Sequence, residues 1–173
     1  MSQLKVNSIV PVGGLPSGAS GGGIIQTVST IKTNTASFTS NGSEVEFAGF
    51  NATITPSSNS SKILIMISLA YGATSTTYKL RIKRGSTQIL LGDADGSRQR
   101  SSAGLGLVGD NNQCDTCTFI GIDSPATTSA TTYKLFFTND NTRAIRINRS
   151  FDDSNSSVGG RHVSTLTLME ITG

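Results

Sequence analysis

From Ile24 onward, apolar and polar residues alternate in short runs, each bounded by Gly, Pro, Asn, Asp or Ser. Successive strand side chains point to opposite faces, so period-two runs punctuated this way predict half-buried strands joined by tight turns. Ile24 to Thr30 is the first. Glu44 to Thr55 sets Val45 and Phe47 on one face, slips at Ala48-Gly49 and resumes with Phe50, Ala52 and Ile54, which predicts a β-bulge. After the turn PSSNSS, Lys62 to Tyr71 is apolar on both faces, as a central buried strand would be. Thr76 to Arg84 alternates Tyr78, Leu80 and Ile82 with Lys79, Arg81 and Lys83, and Gly85-Ser86 reverses it into Thr87 to Leu91. Further strands are predicted at Leu105 to Val108, Thr116 to Ile122, Thr131 to Thr138, Arg143 to Arg149 and Arg161 to Ile171, nine or ten in all. Helical periodicity is nowhere sustained. Thr76-Thr77-Tyr78-Lys79-Leu80 is echoed by Thr131-Thr132-Tyr133-Lys134-Leu135, as similar strands in the two Greek keys of a jelly roll would be. The chain is therefore read as all-β, an antiparallel β-sandwich of jelly-roll type.

The first 23 residues differ. A short apolar stretch carries Leu4, Val6, Ile9, Val10 and Val12, and a run of Gly, Ser and Pro follows. This reads as an extended N-terminal anchoring segment on a flexible lead (1–23), with the sandwich domain occupying 24–173. A chain that fixes one end in a larger particle and holds the rest clear of it needs both parts, which points to an assembly component.

Composition sharpens this picture. Charged residues are 14% of the chain, against roughly a quarter in ordinary soluble domains, so hydroxyls and amides carry solubility. Thr favours strands and Ser and Asn favour turns, in keeping with short strands and many reversals. The net charge of +3 is spread along the chain, with no Lys/Arg block and no interleaved aromatic platform, so nucleic acid is not an expected partner. The longest apolar run, Ile63 to Ala70, is too short to cross a bilayer, and the N-terminus lacks the three-part layout of a secretory signal. No membrane insertion is expected, and a secreted lectin-like jelly roll is disfavoured.

Candidate chemistry is sparse. The single His, His162, has no elbow motif or acid near it in sequence. Cys114 and Cys117 form a lone C-x-x-C without further metal ligands, and an extended pair at this spacing is too far apart to bridge, so free thiols are the favoured reading and a turn-closed disulfide the other. Asp93 and Asp95 resemble the start of a calcium loop, but Gly104 stands where its closing Glu is required. A looser cation site there, or at Asp152 and Asp153, competes with a solvated turn. Arg143, Arg146 and Arg149 recur every third residue, so some are expected to face inward and to need a partner, unless they simply keep a strand edge soluble. Glu44 and Glu46 have the spacing of a hydrolytic carboxylate pair, with solvated edge charge as the simpler role. No catalytic residue, cofactor or metal is assigned. The polar loops Gly92 to Ala103, Gly109 to Asp115 and Phe151 to Gly160 are the expected working surface, with Asp93, Asp95, Arg98, Arg100, Asn111, Asn112, Asp152, Asp153 and Asn155 as candidate contacts.

Four stretches carry a resemblance: the opening SQLKVNSIVPVGGLPSG with GGGIIQTV, then NATITPSSNSSKILIMISL, TTYKLRIKRGSTQILLGD and HVSTLTLMEITG. Over more than half its length the chain resembles small tail-fibre-like virion structural proteins of tailed phages, common among those of marine cyanobacteria. The resemblance implies a non-enzymatic virion protein, assembled in the host cytoplasm and carried on the tail or head surface. Its N-terminus would be fixed to other virion proteins, and a homotrimeric β-domain would be displayed for host-surface adhesion, a glycan being one receptor class. Capsid decoration is the alternative within the family, and a polysaccharide-degrading enzyme the remote one.

Overall fold

The computed structural model describes residues 23–74, 78–106 and 108–172. The predicted anchor, Leu4 to Val12, lies outside them, as do Thr76 and Thr77. The described chain forms β1 (Ile24–Lys32), β2 (Ala36–Asn41), β3 (Val45–Ile54), β4 (Lys62–Ala73), β5 (Tyr78–Arg84), β6 (Thr87–Ile89), β7 (Ala103–Leu105), β8 (Asp115–Asp123), β9 (Thr131–Thr138), β10 (Thr142–Ile147) and β11 (Ser164–Ile171).

These eleven segments occupy eight strand positions. On one edge of β4, β11 pairs with residues from Lys62 to Ser68 and β10 with Tyr71 to Ala73, so the two lie end to end. Outside them β1 pairs with β11 and β2 with β10, again end to end, while β8 runs along the other edge of β4. The second sheet repeats the device: β6 pairs with Ile82 to Arg84 of β5 and β7 with Tyr78 to Leu80, opposite β9, which also pairs with β3. The result is two antiparallel sheets, β1/β2–β10/β11–β4–β8 and β3–β9–β5–β6/β7. The chain alternates between them as a jelly roll does.

The core lies between the sheets. Ile63, Ile65, Ile67 and Leu69 of β4 face Leu80 and Ile82 of β5 and Leu135 and Phe137 of β9, with Leu166 and Leu168 of β11 beside them, all buried. The Phe47 ring stacks on Phe137 at 5.2 Å and meets Phe38 edge-on at 5.3 Å. The bulge is where the slip at Ala48-Gly49 places it: the β3–β9 register shifts between Glu46 and Asn51, Gly49 takes φ +75°, and Phe47 and Phe50 both point inward. Gly suits this position because a Cβ disfavours positive φ.

The structure departs from the expectations in several places. β2 was not predicted, because ASFTSN has one large apolar side chain; Phe38 recruits it into the core and β10 supplies its ladder. β7 begins at Ala103, inside the segment read as a loop. β4 is central, but its second face is left open from Lys62 to Ser68, and Met66 is 36% exposed. β10 ends at Ile147, which leaves Arg149 beyond the strand; Arg143 is exposed and Arg146 points away from the core, so no arginine of this series is inward. The echoed tyrosines lie on adjacent antiparallel strands of one sheet, with both rings buried.

Candidate binding surface

The break between β10 and β11 creates the most elaborate surface feature. At the level of Ala70 the strand leaves the sheet at Asn148 and rejoins it at Ser164. The buried Asn148 adopts φ +61°, a conformation that Asn tolerates better than most residues. Its amide N–H donates to Ala70 O at 3.0 Å, and its side-chain Nδ2 donates to the carbonyls of Lys32 at 2.7 Å and Asn34 at 3.1 Å. The Ser164 hydroxyl donates to Asn148 Oδ1 at 2.6 Å and accepts from the Ala70 N–H at 3.0 Å. Two side chains thus take over the ladder bonds that the interruption removes from three strands.

Beyond this knot the segment doubles back on itself. The His162 N–H donates to Asn148 O at 3.0 Å, and Arg149 bridges Arg161 as an antiparallel pair. Asp153 forms ion pairs with Arg149, at 3.3 Å, and with Arg161, while the Arg149 guanidinium also reaches Ser37 Oγ at 3.1 Å. The Arg146 guanidinium stacks over the Phe151 ring, 4.7 Å from its centroid. The excursion lies flat on the sheet at Gly72, where a Cβ would sit 2.7 Å from Phe151 N and 2.8 Å from Arg149 O. Only Gly fits under this backbone. Gly72→Ala is therefore expected to leave the sandwich folded and to lift the excursion. A check is limited proteolysis, with cleavage between Phe151 and Gly160 accelerated severalfold over wild type.

This segment is joined to the loop before β8. The Asp152 N–H donates to Asn111 O at 3.1 Å, and Ser154 Oγ donates to Asn112 Oδ1 at 2.9 Å. Asp110 Oδ1 accepts from the Asn112 amide at 2.8 Å, and the Tyr71 hydroxyl accepts the Gly106 N–H at 2.9 Å. Burial and the neighbouring Asp115 carboxylate push the Tyr71 phenol up to about 12, so it stays a neutral donor. Two of the three loops expected to act are therefore one fastened surface. Within it Asn111, Asp152 and Asn155 are exposed, whereas Asn112 and Asp153 are half-buried and held by internal bonds.

The third loop lies elsewhere, between β6 and β7. Ser102 closes it by donating its amide to Leu80 O at 2.8 Å and accepting the Ile82 N–H on its hydroxyl at 3.2 Å. Arg81, pointing outward from β5, donates to Arg100 O at 2.9 Å, and Arg100 in turn donates to Gly92 O at 2.6 Å. Asp95 pairs with Arg98 at 2.6 Å, which occupies a carboxylate that a cation would need. Asp93 is exposed. An open depression of about 490 Å³ lies among Lys79, Ser97, Arg98, Gln99 and Asp140.

The carboxylates Glu44 and Glu46 are accounted for by pairing. Glu44 contacts Arg81 at 3.4 Å and also Lys83, while Glu46 contacts Lys134 at 3.1 Å, so both belong to an ion-paired lattice on the outward face of the second sheet. His162 is exposed and follows Gly160, whose Cβ position its ring would overlap. Cys114 and Cys117 are free thiols, both pushed above their ordinary range, chiefly by burial. Asp123 accepts from the Tyr133 hydroxyl at 2.7 Å and from Arg84 at 2.9 Å. Glu170, unremarked in the sequence, is buried and accepts from Gln26 Nε2, from Ser57 N–H and Oγ at 2.7 and 2.6 Å, and from Ser61 Oγ at 2.6 Å. It ties β1 and the PSSNSS turn to the last strand. Among the described residues no group of three or more His, Cys, Asp or Glu side chains is placed to hold a metal ion.

No family model and no curated protein matches the chain. Among solved structures it is similar to those of the infectious bursal disease virus Gt strain, at 12% identity and a TM-score of 0.42, and of the Gx strain, at 11% and 0.40. The alignments cover 86% and 84% of this chain but only 43% and 38% of the viral chains. A likeness of this size transfers no property.

Proposed function

We propose that the chain is a non-enzymatic structural protein of a phage particle: a trimeric fibre-like module, held to other virion proteins through Leu4 to Val12 and presenting the sandwich for adhesion to the host surface. The observation that carries adhesion is the fastened pair of loops, 109–115 with 149–161. A flexible polar loop loses conformational entropy on binding, whereas one already held by the Asn148 knot, the Asp153 ion pairs and the Gly72 contact loses little. Its exposed Asn111, Asp152, Asn155 and Ser side chains suit the hydroxyls of a glycan. The phage assignment draws on the sequence resemblance, and the absence of a partner-free carboxylate pair at Glu44 and Glu46 favours presentation over hydrolysis.

Purified full-length chain, added in excess, is expected to block adsorption of particles carrying it to host cells, and the Gly72→Ala variant to block severalfold less well. Undiminished adsorption at saturating chain, with hundreds of copies spread over the head by immunogold labelling, would replace adhesion by capsid decoration. Release of reducing ends from host envelope polysaccharide would overturn the non-enzymatic reading.

A further inference from the structure

We propose that the outward face of the sheet formed by β1, β11, β4 and β8 is covered by further copies of this chain, facing the axis of the trimer. The inference rests on the trimeric reading above and names its contact surface. Across this face Ile122, Leu64 and Met169 stand side by side on three paired strands, and Ile120 is paired with Met66 in the next row. Ile31, Ile120 and Ile122 are 62, 60 and 51% exposed. Ser and Thr fill most of the positions between. Contiguous apolar exposure of this kind on a soluble domain marks a contact surface.

Charge identifies the occupant. Among the described residues at the outward positions of these four strands, Lys62, at the margin, is the single charged side chain, whereas the outward face of the other sheet carries Glu44, Glu46, Lys79, Arg81, Lys83 and Lys134. Copies of a chain with net charge +3 repel one another. They approach without juxtaposing like charges on the face that has almost none. An anionic polymer or an acidic partner would find one marginal cation here, Lys62, so a surface of the same neutral kind is the fitting complement.

Chain direction agrees. The upper half of the sheet is excluded because the excursion over Gly72 already covers it. Gly23, where the described chain begins, lies at the margin of this same face: its N–H donates to Thr172 Oγ1 at 3.2 Å and the Thr172 N–H donates to Gly23 O at 3.3 Å. Copies joined here bring their Gly23 ends to one side of the assembly.

Sedimentation equilibrium of the full-length chain tests this. Wild type is expected at three times the chain mass of 18.0 kDa. Ile120→Lys and Met66→Lys are expected to weaken association by about tenfold or more with an unchanged far-ultraviolet spectrum, while Lys134→Ala on the opposite sheet leaves it unaltered. Should either lysine variant lose its β spectrum, Thr118→Glu, at an exposed outward position of the edge strand, gives the same readout. A wild-type chain that stays at one chain mass at high concentration refutes the interface and the trimer together, leaving adsorption blocking to decide adhesion. A trimer that the outward substitutions do not weaken refutes this face alone.

Discussion

Asn148→Ala is expected to lower the free energy of unfolding by about 3 to 5 kcal/mol, read as a fall in the denaturant midpoint with an unchanged slope. The loss has two sources. The carbonyls of Lys32 and Asn34 and the hydroxyl of Ser164 lose their partner in a buried place, and an unsatisfied buried polar group costs about 1 to 3 kcal/mol. Alanine must also hold φ near +61°, which strains the backbone by about 1 kcal/mol. Asn148→Gly separates these, since Gly takes positive φ freely yet makes none of the side-chain bonds. It should recover only the backbone part, leaving a deficit of about 2 kcal/mol or more. If Asn148→Ala costs under 1 kcal/mol, the strand break is not held by this side chain.

Acid is expected to remove a second large contribution, centred on Glu170. Burial raises its pKa, but the hydrogen bonds from Gln26, Ser57 and Ser61 all favour the ionised form and together bring it down to about 2, from an ordinary value near 4.5. A carboxylate depressed in the folded state stabilises the fold fully above its unfolded pKa and progressively less as pH falls toward the folded one. About 3 kcal/mol should therefore be present at pH 7 and lost between about pH 5 and pH 2. Glu170→Gln tests the cause. Its amide would turn a donor toward Gln26, whose Nε2 is already committed to Thr55 O at 2.7 Å, so the variant should be about 2 to 3 kcal/mol weaker at pH 7. Its stability should also be nearly flat over the acid range, and a variant as acid-sensitive as wild type would place the titration elsewhere.

Much of the sandwich is legible because alternation is a local property. Thr131 to Thr138 and Lys62 to Tyr71 declare themselves by residue type alone, and the slip at Ala48-Gly49 marks its own bulge. β2 is illegible for a matching reason: one Phe among Ser, Thr and Asn cannot outweigh turn propensity until β10 offers a ladder. The excursion was visible as a polar loop, but not its union with residues 109–115, because the Asp152–Asn111 and Ser154–Asn112 bonds join segments about 40 residues apart. Glu170 shares the register of Leu166 and Leu168, and nothing near it in sequence reveals the partners that Ser57 and Ser61 become when they arrive around it.

By itself, then, the order of residues determined the strand class, most strand positions and the bulge. Each follows from neighbours within a few positions, where φ/ψ preference and side-chain alternation act. Only the tertiary structure decided that eleven segments fill eight places, that Gly72 bears a loop rather than a turn, and which sheet face is left apolar. Those outcomes depend on which distant strands pair and in what register, and pairing is settled by burial and by the satisfaction of backbone hydrogen bonds over the whole domain.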